Sequence, residues 1–145
     1  VKKFLKIIGL IIGILLGGFI LIQLVPYGRN HTNPPVVAEV KWDSPRTKEL
    51  AQRACFDCHS NETVWPWYSN IAPGSWLIYS DVMDGRRRLN FSDWTKSSRK
   101  ANEATQIVLE GEMPPFQYLL IHKNAILTST EREELAKGLA TTLGQ

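Results

Sequence analysis

The chain has 145 residues, with 17 Lys and Arg against 14 Asp and Glu, a formal net charge of +3. Lys2, Lys3 and Lys6 account for the whole excess, because the remaining 14 cations match the 14 anions; the rest of the chain is formally neutral and offers no broad basic patch. Nucleic-acid binding is thereby excluded as a function class, and the length suits one domain plus an appendage.

The appendage comes first. From Phe4 to Val25 the sequence is apolar apart from Lys6 and Gln23, and at a rise of roughly 1.5 Å per residue it reaches the roughly 30 Å of a bilayer core. A cleaved signal peptide usually has an apolar region of only about 7–15 residues and a small-x-small cleavage site. The flank QLVPYGRNH has no such site, so an uncleaved transmembrane anchor over residues 1–25 is the expectation. The lysines before and inside the span predict a cytoplasmic N-terminus. The C-terminal domain is then expected on the periplasmic or outer side of the cytoplasmic membrane. Residues 26–40 carry three prolines and no periodicity, which predicts a semi-extended tether. The domain proper is expected over residues 41–145.

Within that domain the pattern is helical. Asp43 or Ser44 is placed to cap a helix beginning at Pro45 and running to about Cys55. Trp76 to Met83 reads as a short helix. A longer one is predicted from a Ser92 or Asp93 cap to Leu109, with Ala101, Ala104 and Val108 on one stripe and Gly111 as its stop. EGEMPPFQY reads as a loop. Thr130 and Glu133 have capping-box spacing before a last helix bearing Leu135, Leu139 and Leu143. No alternating strand pattern competes, and the expected class is all-α.

The chemistry concentrates in ACFDCHSNE, which holds both cysteines of the chain. C-x-x-C-H is a signature of c-type haem attachment. Two thiols add to the two vinyl groups of one porphyrin edge, and the imidazole that follows is placed to reach the iron. A thioredoxin-like dithiol belongs at a helix start beside a βαβ pattern, which this chain lacks. Structural zinc needs four ligands, and His31 and His122 lie far from the motif in sequence. The reading is one covalent haem c on Cys55 and Cys58, with His59 as proximal iron ligand.

The other axial position decides between electron transfer and ligand chemistry. Thioether sulfur raises the potential, and only Met83 and Met113 supply it. Met113 sits between Gly111 and the stiff pair Pro114 and Pro115, and is the preferred distal ligand. Met83 falls in a helix, where packing is the ordinary role. His122, in YLLIHKNA, is the alternative ligand, or else a capping histidine before the last helix. An open position is the third reading.

Trp65, Trp67, Tyr68 and Trp76, with Tyr79, supply large apolar area with polar edges, either as haem wall or as the core of a small domain. Arg86, Arg87 and Arg88 suit haem propionates or an acidic partner, while Asp81 and Asp84 beside them favour a solvated turn. No Ser/His/Asp arrangement, paired-carboxylate site or phosphate-cradling glycine loop is found.

ACFDCHSNETVWPWYSNIAPGSWLI, DVMDGRRRLNFSDW and MPPFQYLLIHKNAILTSTEREEL together resemble the bacterial haem-binding domain family, small exported monohaem proteins related to cytochrome c. The likeness covers residues 36 to 145. It implies covalent haem on Cys55 and Cys58, His59 on the iron, and a cytochrome c-like fold whose last helix packs against the helix preceding the motif. The expected function is a membrane-anchored monohaem cytochrome passing single electrons, not an enzyme. Its partners would be redox proteins or a larger membrane electron-transfer complex. A haem sensor or peroxidase-like enzyme with an exchangeable sixth ligand is the alternative.

Overall fold

A computed structural model describes residues 1–95 and 101–144, and the regular structure among them is helical, with no strand beyond one isolated bridge. The all-α expectation holds. The α-helices are α1 (Lys2–Ile22), α2 (Pro45–Ala54), α3 (Phe56–His59), α4 (Gly74–Arg88), α5 (Ala101–Glu110), α6 (Phe116–Ile121) and α7 (Ser129–Leu143). Two 3-10 turns, Trp67–Asn70 and Lys123–Ala125, complete the set. The chain divides into two compact units, Val1–His31 with Trp65–Ser80, and Thr32–Val64 with Asp81 onward.

In the first unit α1 buries none of its residues and is long and apolar enough to cross a membrane. It fits a single-pass anchor or a signal sequence. At its end the Gln23 side-chain amide grips the backbone of Ala72 twice: Nε2 donates to the carbonyl and Oε1 accepts from the N–H, each at 2.9 Å. Gly28 has a φ of +78° and lies so close to the Ser75 backbone that a Cβ would overlap the Ser75 carbonyl. Only glycine meets both conditions without strain. The Tyr27 and Tyr79 rings meet edge to face at 5.5 Å, and His31 stacks on Trp65 at 4.5 Å.

The second unit is built on α2 and α7. Ser44, not Asp43, caps α2: its hydroxyl accepts from the Thr47 N–H at 3.2 Å, with Pro45 at the first helical position. Thr47, Leu50, Ala51 and Ala54 then fall on one buried face. α7 buries Leu135, Ala136, Gly138 and Leu139, packing on α2 and on α5, whose Thr105 hydroxyl donates to the Ala136 carbonyl at 3.5 Å. Gly138 meets Thr47 with no room for even a methyl group. Phe56, Phe91, Val108 and Leu127 close the same core, with Leu143 packed at its edge.

Several boundaries differ from the sequence reading. The capping box of α7 is Thr128 with Glu131, two residues earlier than Thr130 with Glu133. Leu127 is drawn into the core and so fixes where the helix starts. The short helix expected over Trp76 to Met83 extends in both directions to fill α4. Residues 116–118, expected in a loop, open α6 on the Pro115 cap.

Ser92 and Asp93 do not cap a helix. The Ser92 carbonyl instead accepts from Val37 and Ala38, and its hydroxyl accepts from the Asn61 N–H. Of that predicted helix, Ala101 onward is observed; residues 96–100 and the Ala101 side chain lie outside what is described. Gly111 ends it at a φ of +76°, as predicted. Residues 26–40 hold no helix, and those in this unit are bonded down. Asn61 donates to the Pro35 carbonyl, and Val40 N–H to the Phe91 carbonyl.

Candidate functional site

Ala54 ends α2, and Cys55 departs from helical geometry at φ −125°, ψ −31° before the chain winds one further turn as α3. That turn is closed on the Cys55 carbonyl, which accepts from the N–H groups of Cys58 at 3.2 Å and His59 at 2.9 Å. Residues three and four apart in a helical turn share a side. Cys55, Cys58 and His59 are therefore brought to one side of a single turn.

The segment after α4 holds this turn in place. The Leu89 carbonyl lies 3.0 Å from Nδ1 of His59, and the Phe91 N–H donates to the His59 carbonyl at 2.8 Å. A carbonyl only accepts, so Nδ1 carries the proton and Nε2 carries the lone pair. From the other side, Gly85 of α4 lies against Cys58: a Cβ there would overlap the Cys58 carbonyl and come within 3.0 Å of the Cys58 Cβ. Asp57, between the cysteines, accepts from the Val64 N–H at 3.1 Å and the Tyr118 hydroxyl at 2.7 Å. Arg86 donates to the carbonyl of Ser60 and to Asn33 and Thr63, each at 2.8 Å. It is part of the scaffold of the motif, where a solvated turn was expected; Arg87 pairs with Asp84 at 2.7 Å.

Electrostatics separate the rival chemistries. Cys55 and Cys58 are not joined in a disulfide. Burial, reinforced by Cys58, pushes the Cys55 thiol up to about 12. Burial, reinforced by Asp81 and Asp57, does the same to Cys58. A redox dithiol requires the opposite, a thiol whose pKa is lowered toward neutrality. Burial also lowers the His59 pKa against the pull of the Leu89 and Gly85 carbonyls, which favours the neutral imidazole a metal requires. Among the described residues no three His, Cys, Asp or Glu side chains converge as a metal-holding group, so four-ligand zinc lacks geometric support. Two neutral thiols one turn apart and an adjacent imidazole with a fixed tautomer fit a covalently attached haem.

Met113, His122 and the motif belong to the second unit. Met113 lies in the loop before α6, is 39 % exposed, and is followed by a cis peptide to Pro114. Met83 is half-buried on α4. His122 caps the C-terminus of α6; its Nδ1 lies 3.1 Å from the Tyr118 carbonyl and its ring stacks on Tyr118 at 3.9 Å. Trp65, Trp67, Tyr68 and Trp76 belong to the first unit. Trp67 is 76 % exposed, while the Trp76 indole N–H is buried with no acceptor among the described residues. Sequence reasoning missed Asp57, Tyr118, Gly85 and the Leu89–Phe91 backbone. Only Asp57, a charged residue between the two cysteines, carried a signal that could have been read.

No curated protein and no solved structure matches the chain. A family model does, over residues 17–141, and its description is haem-binding domain. The match takes in the end of α1, the cysteine turn, the Met113 loop and most of α7, so the chain belongs to the haem-binding domain family.

Proposed function

We propose that this protein is a membrane-anchored monohaem c-type cytochrome that carries single electrons on the outer side of the cytoplasmic membrane. The observation that carries the reading is the turn Cys55–His59, with both thiols and the imidazole on one side and the His59 ring seated on the Leu89 carbonyl. Haem c, when bound, supplies the redox-active iron. The chain would attach it through Cys55 and Cys58, present Nε2 of His59 to the iron, and offer Met113 from the proline-stiffened loop on the distal side. Trp65, Tyr68 and Trp76 stand as further haem contacts on the sequence reading; Trp67, largely exposed, is left outside that set. Redox proteins, or a larger membrane electron-transfer complex, would be the partners.

A second reading, a sensor or peroxidase-like enzyme with an exchangeable distal ligand, draws on the exposure of Met113. The absorption spectrum of the purified ferric protein separates the two. A far-red methionine-to-iron band that disappears in Met113→Ala is expected of the carrier. A high-spin spectrum that responds at once to cyanide rejects it in favour of the second reading.

A further inference from the structure

The first unit joins the end of α1 to an exposed apolar surface. Gln23 replaces a backbone partner for Ala72, with both halves of its amide engaged at 2.9 Å, and so fixes residues 71–73 at the C-terminal end of the helix. The Gly28–Ser75 approach, the Tyr27–Tyr79 pair and the His31–Trp65 stack repeat the attachment along the following residues. The segment held this way leaves several of its large side chains exposed. Trp67 is 76 % exposed, Leu77 59 % and Ile71 38 %, beside an equally exposed Leu24, Val25 and Tyr27 at the helix end. Arg29 is exposed in the same stretch.

An aromatic and aliphatic surface at the terminus of a spanning helix is the composition of a bilayer interface, where amphipathic rings lie at headgroup level. Exposed arginine there suits anionic headgroups. We propose that residues 67–77 form a lipid-facing collar, docked by Gln23 at the outer end of α1 and seated in the headgroup layer through Trp67, Ile71 and Leu77. This rests on the anchor reading of α1. The collar adds a second membrane contact to the span and holds residues 65–80 at the membrane surface.

The test uses the full-length holoprotein in phosphatidylglycerol-containing nanodiscs with a lipid bearing a diazirine near the glycerol backbone, and maps adducts by mass spectrometry. Adducts are expected on α1 and on peptides covering 67–77. In Ile71→Ser/Leu77→Ser the 67–77 adducts fall several-fold while those on α1 persist; both side chains are exposed, and an unchanged haem spectrum reports an intact fold. In Gln23→Ala the 67–77 adducts fall likewise. Labelling of α1 with none on 67–77 overturns the collar and leaves the anchor standing. No labelling of either overturns both.

Discussion

The hydroxyl of Tyr118 donates a 2.7 Å hydrogen bond to Oδ2 of Asp57, the residue preceding the second cysteine. It fastens α6, and with it the far end of the Met113 loop, to the turn that carries both thiols and His59. Bonds to an ionised acceptor are the stronger kind, but this one is only partly buried. Tyr118→Phe is expected to cost about 1–2 kcal/mol. Thermal unfolding should show a midpoint lowered by roughly 5–10 °C. In the proposed centre the far-red band should also weaken, because the loop bearing Met113 loses its tie to the motif.

Gly85→Ala would drive a methyl group into the Cys58 carbonyl. Neighbours of a main-chain atom cannot rotate away as a flexible side chain does, so the turn or α4 must shift. The expected outcome is several-fold less covalently attached haem per protein, measured by pyridine haemochrome absorbance. Gly74→Ala, a glycine whose added Cβ makes only ordinary contact with the Tyr68 carbonyl at 3.7 Å, serves as the control and should retain full haem content.

Gly138→Ala tests the packing of α2 against α7. The new methyl group would overlap the Thr47 side chain, which is 3 % exposed. Overpacking a core costs about 1–3 kcal/mol. Chemical denaturation should show that loss, and adding Thr47→Ala should recover part of it by clearing the hydroxyl and methyl groups.

Acid should act through Glu131. The Thr128 backbone N–H, and then the Arg53 guanidinium, hold its carboxyl down at about 2 against an ordinary 4.5. A carboxylate with a depressed folded-state pKa contributes stability that is complete above its unfolded pKa. That contribution drains away as the pH falls from 4.5 toward 2. Glu131→Gln should therefore be less stable at pH 6, with a smaller further loss between pH 4.5 and 3, when unfolding midpoints are compared across that range.

Local signals read well wherever one residue acts on its own neighbours. Pro45 with Ser44, the stripe on α7 and the positive φ at Gly111 are such cases. LTSTEREE, by contrast, offers two capping boxes of equal local quality, Thr128 with Glu131 and Thr130 with Glu133. Burial of Leu127 chooses between them, and that is a tertiary fact. Ser92 has the composition of a helix cap, yet its hydroxyl and carbonyl are taken by residues 31 or more positions away. The cysteine turn was legible because its chemistry lies in contiguous side chains. Its supports were not: the Leu89 carbonyl and the Phe91 N–H are present at any residue, and only the fold brings these two to His59.

That anonymity confers mutational robustness. The acceptor on the His59 ring belongs to the main chain, so no change of side chain at position 89 can delete it while the backbone stays in place. Gly85, whose backbone carbonyl accepts from the Leu89 N–H, tolerates far less, because any side chain there meets Cys58. Sequence drift around the motif is thus channelled: at 89 the side chain answers only to the core it packs in, at 85 no side chain is admitted, though one backbone bond joins the two.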